Sequence, residues 1–322
     1  MLKIDILPKS FCRDFVQTRE NYLQITMYMA LVLGFKPFMD DWVPKKRLSE
    51  FKRVCKKYGI YVKEDVIFVP VAKDDIKGDI LGKEKITTTS GFAFPLETDI
   101  DGAVHVFLSK NMKILSAGMW YPLIVKDRIL KQPLADSLRY GRYLGYPDCC
   151  VRFFRKYNNW NKYSFLYEIY KNSSHVEKYH FYCNPFFKDA VYSYISHMPC
   201  SFQCKKTIRL AASLRKEIKK REPEFAESID CHLKMPLLVF HERKFYAFEG
   251  KLTEKNTISY SKVYFSDADD SQNIYQKTLS KGNKLTVSGR DVVIYKNKDI
   301  VDTIKVLFKN FSSEYPYVIQ FL

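Results

Sequence analysis

Two segments of this chain place a proline just ahead of cysteine, and they constrain the fold more than any other feature. They are Gly145-Tyr146-Pro147-Asp148-Cys149-Cys150 and His197-Met198-Pro199-Cys200-Ser201-Phe202-Gln203-Cys204. Proline loses no hydrogen bond at the first position of a helix, where its fixed φ is already helical. The pattern therefore predicts Cys149, Cys150 and Cys200 in first helical turns. A helix N-terminus favours thiolate, which is both the metal-binding and the nucleophilic form of cysteine.

Cys200 and Cys204 are four residues apart, so a helix running through both would stack them on one face, with His197 at its entrance. One thiol from the Cys149/Cys150 pair would complete a set of four, because adjacent residues seldom both bind one metal; the spare thiol is then a candidate nucleophile or sulfur carrier. Three Cys and one His suit tetrahedral zinc, and three Cys with an open iron suit a [4Fe–4S] cluster. The same stripe of Cys200, Cys204, Ile208, Ala211 and Ile218 also describes a plain core-facing helix, since free cysteine is among the most buried residue types. Metal centre, buried packing and metal-free thiol chemistry all remain open at this point. Cys183 sits in a loop at no defined offset and His180 is a weaker candidate. His105, His232 and His241 read as structural.

From Asp14 to about Tyr58 the apolar spacing is helical, with a break at Gly34 and Pro37 and a basic helix near Arg47 to Lys57. Tyr61 to Val71 reads as a strand, and Ala103–Leu108 followed by Met112–Val125 reads as a hairpin turning at Ser109-Lys110-Asn111. Leu134 to about Met235 is mainly helical, and short β-prone runs fill the chain after Pro236. The expected fold class is α+β. A helical N-terminal unit spans 1–75, a central domain with the Cys/His site spans 76–235, and a small β-rich domain, a barrel in one reading, spans 236–322.

The 53 Lys+Arg against 36 Asp+Glu give a net charge of +17, which favours an anionic partner, a nucleic acid or a phosphorylated metabolite. A lysine-rich surface with no partner in view explains it equally well. Basic and aromatic residues interleave from Arg139 through Arg142 and Arg152 to Trp160, a mix that can hold phosphates and stack bases. Arg139, Arg142 and Arg152 are the candidate substrate-binding residues. A second basic stripe follows Cys204. Thr87-Thr88-Thr89-Ser90-Gly91 lacks the lysine and paired glycines of a phosphate loop, Asp267, Asp269 and Asp270 lack the other ligands of a calcium loop, and Glu97, Asp99 and Asp101 read as turn chemistry as readily as cleft acids. No run approaches the roughly 20 apolar residues of a spanning helix, and Met1-Leu2-Lys3-Ile4-Asp5 does not open a signal peptide. With eight cysteines in 322 residues, too sparse for a disulfide scaffold, the expectation is a cytosolic protein with reduced thiols and no membrane partner.

The two cysteine segments, with Trp120-Tyr121-Pro122 upstream and the β-rich tail, resemble a prokaryotic family of unknown function, found notably in archaea, over roughly residues 80 to 322. The resemblance implies that both segments belong to one site and assigns no reaction. The functional expectation is a metal- or cluster-dependent enzyme, of transferase or lyase type, acting on an anionic small-molecule or RNA-borne substrate. In it Cys149 or Cys150, Cys200 and Cys204 are ligands of zinc or [4Fe–4S], and His197 is a fourth ligand or a nearby acid/base. The alternatives are a nucleic-acid-binding protein with structural zinc or structural cysteines, and a metal-free thiol enzyme using Cys150 or Cys200.

Overall fold

A computed structural model of the chain describes residues 8–9, 12–18, 25–70, 91–116, 123–125, 128–131, 137–157, 165–173, 178–187, 193–241, 244–265, 273–306 and 316–322. Trp120-Tyr121-Pro122, Thr87 to Ser90, Trp160, and Asp267, Asp269 and Asp270 lie outside the described residues.

In chain order the N-terminal half holds α1 (Cys12–Gln17), α2 (Ile25–Val32), β1 (Met39–Pro44), α3 (Leu48–Lys57), β2 (Tyr61–Pro70), β3 (Gly91–Phe94), β4 (Ala103–Ser109), α4 (Met112–Ser116), β5 (Leu123–Val125), β6 (Arg128–Lys131) and α5 (Ser137–Tyr143). Then come α6 (Asp148–Tyr157), α7 (Phe165–Lys171), α8 (Lys205–Arg221), α9 (Pro223–Leu233), β7 (Leu237–His241), β8 (Lys244–Glu254), β9 (Thr257–Phe265), α10 (Asn273–Leu279), β10 (Lys284–Ser288), β11 (Asp291–Lys296), β12 (Asp299–Lys305) and β13 (Tyr317–Ile319). The protein is α+β, with antiparallel sheets of order β1-β4-β2-β3 and β12-β11-β10-β9-β8-β7-β13 and a β5-β6 hairpin.

The first sheet is covered on both sides. Val104, Val106 and Leu108 of β4 meet Phe15, Tyr28, Phe51 and Cys55 of the N-terminal helices, while Phe107 packs with Phe38, Leu115 and Leu144. Burying each such side chain contributes about 1.5–3 kcal/mol. Because β4 pairs with β1 and β2, the sheet crosses the unit boundary expected after residue 75. The two-sided pairing also explains why the 103–125 hairpin does not form. Asn111 Oδ1 accepts the Lys113 N–H, and Ser109 Oγ donates to the Pro37 carbonyl while accepting the Asn111 N–H. Ser109-Lys110-Asn111 thus starts a helix, and β5 pairs with β6 instead. β1, whose Asp40-Asp41 hides its strand character, is pulled into the sheet by β4.

His105, on the same strand, is fully buried, with Nδ1 3.1 Å from Asp65 and Nε2 3.3 Å from Asp40. It stacks on Trp42, a structural role in keeping with its place in a strand.

The second sheet splits its strands between two cores. Leu237, Val239, Phe245 and Ala247 face α7, α8 and α9, whereas Leu238, Phe240, Tyr246 and Phe248 face Leu279 of α10. The period-2 alternation thus gives β7 and β8 two apolar faces. Among the described residues β12 and β13 are the sheet's edges and do not pair with each other, so the sheet is not the small barrel considered from sequence. No helix of the described residues is long and apolar enough to cross a membrane.

The link that places the site is the turn between α5 and α6. The Gly145 N–H bonds to the Arg142 carbonyl and the Tyr146 N–H to that of Gly141, and Gly145 holds φ at +78°. This glycine-capped stop is followed at once by Pro147, whose carbonyl accepts from the Cys150 and Val151 N–H groups and opens α6. A Cβ on Gly145 would stand 2.7 Å from Pro37 Cδ. Gly145→Ala is expected to cost about 2–3 kcal/mol in chemical denaturation. Gly289→Ala, at φ +58° with nothing within 4 Å of the added Cβ, should cost about 1 kcal/mol. Equal costs at the two positions would contradict a close fit at the α5–α6 turn.

Candidate metal centre

Cys149 and Cys150 occupy the first turn of α6, as their Pro147 dictates. Cys200 does not lie in a helix. Residues 200–203 form bends and turns, Cys204 caps α8, and that helix begins at Lys205. The expected four-residue helical stacking of Cys200 over Cys204 is therefore corrected. The donors that would feed a helix there are spent otherwise. The Phe202 N–H goes to Ser173 Oγ at 2.8 Å and the Gln203 N–H to Ser201 Oγ at 3.2 Å, while the Cys200 N–H, which a helix starting at Pro199 would leave without an intrahelical partner, points to Cys150 Sγ at 3.3 Å. Asn172 Nδ2 clamps the Cys200 carbonyl at 2.7 Å.

This loop carries Cys200 to the first turn of α6. The sulfurs of Cys149, Cys150, Cys200 and Cys204 all lie within 4.8 Å of one another and could hold a metal ion. Both thiols of the vicinal pair stand in the group, where the sequence reading expects one. The sulfurs are 3.9 Å apart for Cys149–Cys150, 3.7 Å for Cys149–Cys204 and 3.6 Å for Cys150–Cys204. Four thiolates bound tetrahedrally at about 2.3 Å from one ion stand about 3.8 Å apart.

His197 is not in the group. Its Nε2 is 2.9 Å from Thr207 Oγ1, which is itself 3.5 Å from Cys150 Sγ. Burial, with the charge of Lys36 next in size, holds the imidazole neutral by pushing its pKa down to about 3. Thr207 is a residue the sequence reading missed, although its place three residues after Cys204, one helical turn on, is a signal. Cys183 is buried beside the group, with Sγ 3.9 Å from the Cys204 carbonyl, and burial pushes its thiol up. Among the described residues it stays outside the four-sulfur set.

The electrostatics follow from crowding. Cys204 accepts hydrogen bonds from Cys150, then from Cys200, and is held well below the usual thiol range, with Thr207 assisting. Its place at the N-terminus of the 17-residue α8 acts in the same direction. Cys150 is raised by its hydrogen bonds to Cys200 and Cys204 and by burial. At Cys200 the bond with Cys150 pulls down, but Cys204 and burial outweigh it and push the thiol up to about 12. The metal-free group thus holds its negative charge on Cys204.

Around the sulfurs the surface is basic. Asp148 is bridged by Arg142 at 2.8 Å and by Arg152 from the next helical turn, and it also feels Lys206. Arg142 and Arg152 are exposed and meet here, whereas Arg139, also exposed, lies over the ring of Tyr143. Among the described residues Lys205, Lys206 and Arg209 are exposed at the start of α8, while Thr207, Ala211, Leu214 and Ile218 form its buried stripe.

Because Cys150 and Cys200 are protonated at neutral pH, a metal must expel at least their two protons, and its affinity rises with pH. A zinc competition titration over roughly pH 6 to 8 is expected to show affinity increasing at least about a hundredfold per pH unit. A flat profile would contradict the protonation pattern described.

No curated protein and no solved structure matches the chain. Residues 103–233 match the model of a family described as protein of unknown function (DUF483), a span that holds both cysteine segments and ends before the C-terminal sheet.

Proposed function

We propose that Cys149, Cys150, Cys200 and Cys204 bind a single zinc ion as a closed four-thiolate centre that orders a cationic, nucleic-acid-binding surface. The observation that carries the metal assignment is the sulfur spacing. Separations of 3.6 to 3.9 Å among Cys149, Cys150 and Cys204, with the Cys200 sulfur within 4.8 Å of each, suit ligands sharing one ion at a tetrahedral centre. In a [4Fe–4S] cluster each cysteine binds a different iron, which spreads the sulfurs farther apart than a single ion does. A catalytic zinc keeps an open position, and four sulfurs on one ion leave none, so the structural role is favoured over metal-centred catalysis.

The centre would tie α6 to the 197–204 loop and the start of α8, and so bring Arg142, Arg152 and Lys206 together around Asp148. With Arg139, Lys205 and Arg209 alongside, these exposed cations suit phosphate oxygens rather than base edges. Binding of this kind is salt-dependent and weakly selective for sequence.

Elemental analysis of anaerobically purified protein is expected to give one zinc per chain, with Cys200→Ser and Cys204→Ser each losing it. Iron with labile sulfide would overturn the assignment. For the surface, a fluorescent single-stranded RNA of about 20 nucleotides should bind with affinity that falls steeply with salt, and Arg152→Gln with Lys206→Gln should reduce the log–log slope by about 1.4. No binding at low salt would remove the nucleic-acid reading while leaving the metal one intact.

A further inference from the structure

His105, fully buried in the first sheet, lies between two carboxylates. β1 and β2 flank β4, and each sends one aspartate to the ring: Asp65 Oδ2 stands 3.1 Å from Nδ1 and Asp40 Oδ2 3.3 Å from Nε2. The Asp65 side chain is 3% exposed and that of Asp40 22%. A bulge in β2 aims Asp65. Glu64 pairs with Val106 and Ile67 with Val104, so Asp65 and Val66 together stand opposite His105. Bulges of this kind re-aim a side chain and give up ladder pairing to do so. Trp42, paired with His105 across the β1–β4 ladder, covers the ring face with centroids 4.3 Å apart.

Ionised carboxylates only accept hydrogen bonds, and a neutral imidazole carries one N–H. With both aspartates ionised, both contacts are hydrogen bonds only when the ring carries two N–H groups, as imidazolium. Burial alone disfavours the charged ring, but Asp40 and Asp65 outweigh it and hold His105 above its ordinary range. Burial likewise raises Asp40, and His105, then Tyr140 and Lys36, bring it below the usual carboxylate range. Tyr140 reaches the triad from α5. Lys36 acts on Asp40 through its charge, its Nζ being held by the Leu144 carbonyl at 2.9 Å and Ser196 Oγ at 3.2 Å. Lys63 of β2, opposite Phe107, donates to the Leu115 carbonyl at 3.3 Å. Asp41 and Glu64, on the other face of the sheet, are taken by Tyr28 and Lys52.

A ring that loses one proton turns a lone pair toward one of the carboxylates. Asp65, the more deeply buried, keeps the remaining N–H, because an unpaired charge costs more the less water reaches it. Asp40 is the partner released. It lies on β1, an edge strand of its sheet, next to Phe38, whose ring stacks on Phe107 and meets Tyr140 edge-on. Asp40 and Phe38 thus join the β1 edge to α5, the helix that ends at the Gly145 turn.

We propose that Asp40, His105 and Asp65 form a pH-sensitive lock, in which an imidazolium fastens β1 and β2 to β4 through both ring nitrogens and releases Asp40, and with it the β1 edge, on losing a proton. The folded state of this lock binds a proton that the unfolded chain gives up more readily. Its contribution to stability is therefore complete below about pH 6.5 and is lost as pH rises through the higher folded-state value. The lock is separate from the four sulfurs and does not depend on which metal they hold.

The test uses the full chain, wild type and Asp40→Asn, whose amide can donate to a neutral ring and so needs no extra proton. In NMR of wild type carrying isotope-labelled histidine, the His105 ring is assigned through its contact with Trp42. At about pH 6.5 it should carry hydrogen on both nitrogens and should titrate above the ordinary histidine range. Urea unfolding is followed from about pH 6.5 to below about 8, where Lys36 keeps its charge. Over that range the wild-type unfolding constant, relative to that of Asp40→Asn, should rise by up to about tenfold per pH unit. Thiol titrations are common to both chains and cancel. The proposal is overturned by a singly protonated His105 ring at about pH 6.5, or by the same pH dependence in wild type and Asp40→Asn. The NMR result decides on the wild type alone if the variant does not fold, and neither result bears on the zinc reading.

Discussion

Four cysteine sulfurs packed within 4.8 Å of one another set the terms for the central region of this protein. At the 3.6 Å that separates Cys150 from Cys204, two thiolates repel by about 4 to 5 kcal/mol at an effective dielectric of about 20. That is roughly three pKa units, so the charges cannot all be present at neutral pH without a cation. The metal-free group keeps its charge on Cys204, which receives the hydrogen bonds of its neighbours and sits on the N-terminus of α8. A bound divalent cation would reverse the repulsion and turn a costly arrangement into a clamp across three chain segments.

Those segments reach the site by separate routes. β4, buried on both faces, carries Phe107 against Phe38 and Leu144, and this contact fixes the end of α5. The left-handed Gly145 and the following Pro147 then turn the chain into α6 with no spare residue. On the other side Ser173 and Asn172, just after α7, hold the 200–202 backbone in a non-helical path. The Thr207 hydroxyl, one helical turn beyond Cys204, links the sulfurs to His197.

Much of this is legible in the sequence, because local rules govern it. Pro147 before Cys149-Cys150 marks a helix start, and the chain obeys it. The α+β class and the change of character after Pro236 follow from periodicity. The same proline rule fails at Pro199, where side chains from residues far away in sequence take the backbone donors and acceptors that a helix would use. The 103–125 hairpin fails for a related reason, since β4 already has partners on both edges, one of them a strand that Asp40-Asp41 conceals. His197 reads as a ligand by its spacing, yet the turn that brings Cys200 inward leaves the imidazole behind Thr207. No local signal marks Lys36, whose surroundings come from residues more than a hundred positions away.

The measurement that bears most directly on the account is zinc K-edge X-ray absorption of the purified protein. Four sulfur scatterers at about 2.3 Å with no nitrogen shell are the expected result. A shell of three sulfurs and one nitrogen would place His197 on the metal and contradict the four-cysteine centre.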